Sequence, residues 1–181
     1  MAKPTIQLEI ITPDGVRLTE SVESLTAPSV EGEFGVLPGH QPLLAALRTG
    51  IVTYVRDEQE VRVAVGPGFV EVVDDRALLL TDRYTTRDAI DPVRTRLELR
   101  EADEALERYD GELGSVEYVE LVCQELWAAT RLELYGDPPP PTMRTVSELD
   151  VVAREDYVAA FRARAAQLEQ GGGGPQEGTS G

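Results

Sequence analysis

The stretch Glu31-Gly32-Glu33-Phe34-Gly35-Val36-Leu37-Pro38-Gly39-His40-Gln41-Pro42-Leu43-Leu44 holds three glycines, two prolines and the only histidine of the chain. Alternating, strand-like runs flank it on both sides. Glycine reaches backbone angles that a Cβ forbids, and proline fixes φ and removes a donor. A loop written this way has one shape, and its apolar residues Phe34, Val36 and Leu37 must be held against something.

Outward from this loop, the hydrophobic period is two as far as Asp82. Ile6, Leu8 and Ile10 alternate with polar residues, and Pro13-Asp14-Gly15 turns the chain into Val16 and Leu18. Ile51 to Val55, Val61 to Val65, Phe69 to Val73 and Ala77 to Leu80 are short runs rich in β-branched residues. Turn residues separate them at Asp57-Glu58, Gly66-Pro67-Gly68 and Asp74-Asp75. Many short strands with regular turns predict a sandwich or a barrel.

After Arg87 the period becomes helical. Asp91 is a natural N-cap and Pro92 fits the first helical position. Thr95, Leu99, Ala102, Leu106, Tyr109 and Leu113 then fall on one face, and Gly111 and Gly114 end that helix. Ser115 caps a second helix, with Val119, Val122, Leu126, Trp127 and Ala129 among its apolar positions. Each stripe is too narrow for a core of its own, so the hairpin must pack on itself, on the strands or on a partner. Gly136-Asp137 and the prolines 138–141 predict an extended spacer over 137–146. Ser147 and Asp150 open a further helix over 147–170, and the Gly-rich residues 171–181 are expected to be disordered. The expected organisation is thus α+β: a sandwich domain over 1–86, a helical hairpin over 87–136, then spacer, extra helix and tail.

The net charge of −16 argues against nucleic acid or an anionic lipid surface as a direct partner. No apolar run approaches the ~20 residues of a transmembrane helix, so no direct membrane insertion is expected. Met1-Ala2-Lys3-Pro4 leads straight into a strand pattern, with no signal peptide visible. The single cysteine, Cys123, cannot form an internal disulfide and reads as an inert thiol among apolar neighbours.

The loop resembles the signature loop of the ε subunit of rotary F-type ATP synthases, which runs Gly-Glu-apolar-Gly, two apolar residues, then Pro-Gly-His, one residue, Pro-Leu. Further pieces agree in order and spacing from about Pro4 to about Tyr135. Arg48-Thr49-Gly50-Ile51-Val52 is similar to the family's strand entry, and Gly66-Pro67-Gly68-Phe69-Val70-Glu71-Val72 to its Gly-x-Gly hairpin. Leu78-Leu79-Leu80-Thr81-Asp82, leading to Ile90-Asp91-Pro92-Val93-Arg94, is similar to the approach to its C-terminal helices. The resemblance implies a flattened β-sandwich that grips the γ subunit and faces the c-ring loops. It makes Glu33, Gly35, Pro38, Gly39 and His40 the rotor-contact candidates, with Glu33 and His40 as the contributing side chains. The helical hairpin is implied to be a regulatory arm: folded down it permits turnover, and extended into the α/β catalytic head it blocks hydrolysis. Some members bind ATP there through Ile/Leu-Asp-x-x-Arg-Ala and two arginines four apart. Here Ile90, Asp91, Arg94 and Arg131 match, while Thr95 replaces the alanine and Trp127 stands where the other arginine would be. Regulatory ATP is the one small ligand so implied, and no cofactor is required.

The residues themselves offer no catalytic constellation. His40 has no nucleophile elbow to serve, one His and one Cys lack metal-ligand spacing, and no phosphate loop exists. Together with the resemblance, this implies a non-catalytic rotor-stalk subunit that couples proton translocation to ATP synthesis. Its place would be peripheral, on the cytoplasmic face of a bacterial inner membrane. The alternative is a free-standing nucleotide- or ligand-sensing β-sandwich with a helical lid.

Overall fold

The computed structural model describes residues 3–139, and the expected helix over 147–170, the tail and most of the spacer lie outside them. Ten strands come first: β1 (Ile6–Thr12), β2 (Gly15–Val22), β3 (Ser24–Ser29), β4 (Gly32–Val36) and β5 (Leu43–Leu47), then β6 (Gly50–Arg56), β7 (Gln59–Val65), β8 (Gly68–Val73), β9 (Arg76–Thr81) and β10 (Tyr84–Thr86). A 3₁₀ turn at Arg87–Ala89 leads into α1 (Pro92–Arg108) and α2 (Val116–Tyr135).

Hydrogen bonding joins the strands in the order β10-β7-β6-β3-β5-β8-β9-β1-β2, with β4 pairing β3 off this path. One pair is parallel, β1 with β9, in the register Leu8↔Ala77 and Ile10↔Leu79; the others run antiparallel. The sheet folds over on itself, so that β2 comes to lie near β6. Alternation does the rest. Ile6, Leu8 and Ile10 of β1 point inward beside Val70 and Val72 of β8 and Leu79 of β9, all with essentially no exposure. Burying one such side chain contributes about 1.5–3 kcal/mol. The cluster draws on every strand except β10 and gains Tyr84 of β10 at its edge, so the sandwich has a complete core without the helices.

Two apolar residues depart from the sequence reading. The first half of the Gly-Pro-rich segment is not loop but strand β4, whose Phe34 and Val36 pack on the core, while Leu37 remains 62% exposed. Leu37 follows the last paired residue of β4, where the pleat no longer directs it inward. In α1, Thr95, Ala102 and Leu106 are buried as the helical period requires. The helix ends at Arg108, however, before either glycine. Tyr109 caps its C-terminus, donating its own backbone N–H to Leu106, and Leu113 is 68% exposed in the connection.

Both expected N-caps form. Asp91 Oδ1 accepts from the backbone N–H groups of Val93 and Arg94, and Ser115 Oγ accepts from Tyr118 N–H. The second helix buries more than one stripe: Tyr118, Val122, Glu125, Ala128, Thr130, Leu132 and Leu134. A helix covered on two sides buries two faces, and α2 lies between α1 and the strands β6 and β7.

Candidate functional site

Two places gather the sequence-derived residues. At one end of the sandwich, Leu37 to His40 form a β-turn in which His40 N–H donates to the Leu37 carbonyl at 3.0 Å. Pro38 supplies the fixed φ of the second position and Gly39 the positive φ, +80°, of the third, which is the type II pattern. The turn is tied across the fold, because Gly39 N–H donates to Asp75 Oδ1 at 2.6 Å. Asp75 itself sits in the two-residue Asp74-Asp75 hairpin between β8 and β9, with both φ values positive. His40 Nδ1–H donates to the Gln41 carbonyl at 2.7 Å, so in the neutral ring the proton belongs on Nδ1 and Nε2 is left as acceptor. Leu37 and Val73 stay exposed at this same end.

Glu33 and Gly35 belong elsewhere. Both are on β4, opposite Pro28 and Thr26 of β3, and Glu33 borders a cleft between the sandwich and the helix pair. The fold therefore groups Pro38, Gly39 and His40 with Asp75, and sets Glu33 in different surroundings. Sequence reasoning missed Asp75. Its Asp-Asp turn and the Pro-Gly loop were both legible, but the contact that joins them was not. Replacement of Gly39 by alanine is expected to destabilise the protein by about 1 kcal/mol through its left-handed φ. Gly35→Ala is expected to be near neutral, because Gly35 has no positive φ and a Cβ there meets nothing nearer than the Leu25 carbonyl oxygen at 4.0 Å. Urea midpoints of the two variants check the contrast.

The second place is the helix pair. Ile90 packs with Ala64 of β7 and Leu134 of α2, joined by Ile51, Trp127 and Tyr135. This small patch is the apolar part of the contact between helices and sandwich. Around it are polar links: Arg62 to Glu133 at 3.7 Å, and Arg87 Nε–H donating to the Tyr135 carbonyl at 3.2 Å. Beside the patch lies a cleft of 460 Å³ lined by both layers, with Arg48, Thr49 and Arg62 facing Asp103, Glu125 and Glu133.

On the other side of α2, a groove of 320 Å³ opens between the helices, lined by Arg83, Glu98, Glu101, Gln124, Trp127 and Arg131 among others. Arg94 and Arg131 do converge here, but on a carboxylate. Glu98 Oε1 accepts from Arg94 Nε–H at 2.9 Å, and Glu98 Oε2 accepts from an Arg131 Nη–H. The Arg131 guanidinium also lies 5.6 Å from the Trp127 ring centre, and that of Arg83 lies 5.9 Å from it. The Arg131 hydrogen bond, with help from Arg94, holds the Glu98 carboxyl below the usual glutamate range despite the opposing effect of burial. A depressed folded-state pKa contributes stability that is present at neutral pH and lost as pH falls through the folded value. Thr95, in place of the family's alanine, is buried and donates its hydroxyl to the Asp91 carbonyl at 2.7 Å.

A polyphosphate needs several free, fixed donors. At this groove one donor each of Arg94 and Arg131 goes to Glu98, the Arg131 Nε–H goes to the Trp127 carbonyl at 3.3 Å, Trp127 takes the place of another arginine, and Arg83 pairs with Asp82 at 3.3 Å. Asp91 is occupied as an N-cap and Ile90 as a packing residue. These residues do not fit a bound triphosphate. Cys123 is half-buried, and burial pushes its thiol pKa up, away from the reactive thiolate.

The domain described as ATP synthase, Delta/Epsilon chain, beta-sandwich domain matches residues 5–87. The ATP synthase epsilon chain of Herpetosiphon aurantiacus is 41% identical over 101 residues, covering 56% of this chain and 74% of that relative. The ATP synthase epsilon chain of Trichlorobacter lovleyi is 40% identical over 131 residues, covering 72% of this chain and 94% of that relative. A chain in the Euglena gracilis mitochondrial ATP synthase, solved as an OSCP/F1/c-ring assembly, shares the fold with a TM-score of 0.54 at 24% identity, over 74% of this chain and 78% of that one. The 131-residue match is longer than the sandwich and so must continue into the helices. Sandwich and helix pair together share that likeness, and the chain belongs to the ATP synthase epsilon chain family.

Proposed function

We propose that this chain, as a non-catalytic subunit of an ATP synthase, is the part of the central rotor that joins γ to the c-ring and carries a releasable helical arm. The sandwich grips γ, and the Leu37–His40 turn stands on the polar loops of the c-ring, with His40 presenting Nε2. The arm, α1 with α2, moves between its dock on the sandwich and the α/β catalytic head. The subunit works peripherally at the cytoplasmic face of a bacterial membrane; among the described residues no helix is long and apolar enough to cross one.

One observation carries the reading of a fixed clamp and a mobile arm. The sandwich closes a core built from strands alone, whereas the helix pair is attached through the patch of Ala64, Ile90 and Leu134. Ion pairs exposed like those at its rim contribute about 0–1 kcal/mol each. Beside the patch the two layers are held apart by the 460 Å³ cleft. A dock of this kind is worth on the order of a few kcal/mol, which a competing surface can match.

The test is assembly. Residues 1–87 alone are expected to fold and to co-elute with γ on size exclusion, because the core does not need the helices. A folded sandwich with no affinity for γ would overturn the rotor assignment and favour the free-standing ligand sensor.

A further inference from the structure

We propose that Glu98 fills, from within the chain, the anion position between Arg94 and Arg131, so that the helix pair is fastened by its own carboxylate and its groove is closed to polyphosphates. Glu98 lies one helical turn beyond Arg94 on α1 and bonds it along the helix, while its other oxygen crosses to Arg131 on α2. The crossing pair is the sheltered one. The Arg131 side chain is 19% exposed, held between Glu98 and the Trp127 ring, whereas Arg94 is 78% exposed. A carboxylate with each oxygen on a different guanidinium presents the same two acceptors to those donors that a phosphate would. Arg83, Arg131 and the rim residue Arg94 are matched by Glu98, Glu101 and the Asp82 that pairs with Arg83, so no net positive charge draws an anion in.

Removing only the charge of Glu98 reverses this. The groove becomes net positive, Arg131 is left with free donors over the indole, and Arg94 stands at its rim. Glu98 is then the residue that decides between a carboxylate-locked arm and an anion-responsive one. Trp127, the only tryptophan in the chain, lies in the groove and reports directly on its occupancy.

The experiment uses the full isolated chain and is independent of γ, so its outcome and that of the rotor assignment stay separate. ATP and inorganic tripolyphosphate are titrated into the unmodified protein and into Glu98→Gln, followed by Trp127 emission and calorimetry. The unmodified chain is expected to show no saturable response at millimolar ligand. Glu98→Gln is expected to bind tripolyphosphate and ATP at least about tenfold more tightly, or ~1.4 kcal/mol. Adding Arg131→Gln to that variant is expected to abolish the gain. Equal binding by the unmodified chain and Glu98→Gln, or no gain in the variant, overturns the proposal. If near-ultraviolet circular dichroism shows that Glu98→Gln loosens the helix pair, the Arg131 Nε–H resonance of the unmodified protein decides instead. It is expected to shift no more with tripolyphosphate than with chloride at equal ionic strength, and a larger, saturable shift with tripolyphosphate overturns the proposal.

Discussion

Deleting every residue after Arg87 is expected to raise ATP hydrolysis by the assembled complex severalfold while leaving γ attachment in place. The effect follows from the two-surface character of the arm. Ile90, Leu134, Trp127 and Tyr135 form a narrow apolar band that lies on Ala64 and Ile51 in the docked state. Leu113 and Val116, 68% and 77% exposed at the α1–α2 connection, are left uncovered there. On the proposed function, an arm lightly docked on one face, with an apolar end free, exchanges between two positions of similar free energy. A shift of ~1.4 kcal/mol between them changes their ratio tenfold. Without the arm, the proposed inhibited position would not exist. Deletion of only the residues after Gly136 is expected to have a smaller effect. Both helices remain, and what is lost among the described contacts is chiefly the exposed pair of Arg96 with Asp137. Steady-state hydrolysis at low and high ATP, alongside γ co-purification, checks both deletions. Indistinguishable rates with and without the helices would make them structural only.

Gly68→Ala is expected to be the most damaging single methyl group that can be added to the sandwich, destabilising it by about 3 kcal/mol or leaving it unfolded. A Cβ at this position would lie 1.8 Å from the Leu80 carbonyl oxygen and 2.8 Å from both the Leu80 carbonyl carbon and the Thr81 Cα. These are backbone atoms of β9, paired with β8 in the register Gly68↔Thr81 and Phe69↔Leu80. No rotamer can relieve the clash, so the pair must open at its end, next to the core residues Val70 and Leu79. Gly66→Ala makes a useful comparison. Its Cβ would come 1.9 Å from Asp82 Oδ1, the end of a side chain that can swing away. Denaturant midpoints are expected to fall most for Gly68→Ala and less for Gly66→Ala. Equal midpoints for the two would show that the strands part more easily than their pairing implies.

The sequence alone determined what is local in the chain. Period-two alternation marked the strand runs, since side chains of a strand alternate between core and solvent whatever the partner strand. Asp91-Pro92 and Ser115 marked the helix starts, because an N-cap bonds backbone N–H groups two or three residues away. The Pro38-Gly39 turn was equally legible, as fixed and positive φ values are properties of those two residues. Where side chains end up was not local. Leu37 read as held and is exposed, because pairing of β4 stops one residue before it. Leu113 read as part of a helical stripe and lies beyond the helix end. Only the tertiary structure decided that α2 buries two faces, because that depends on α1 and the sheet lying on either side of it. Only it brought Asp75 to Gly39, across 36 positions of sequence, and Glu98 to Arg131, across 33. Only the family resemblance implied that Arg94 and Arg131 belong near each other. What lies between them is set by helix packing, because a hydrogen bond is decided by distances of a few ångströms that sequence separation does not encode.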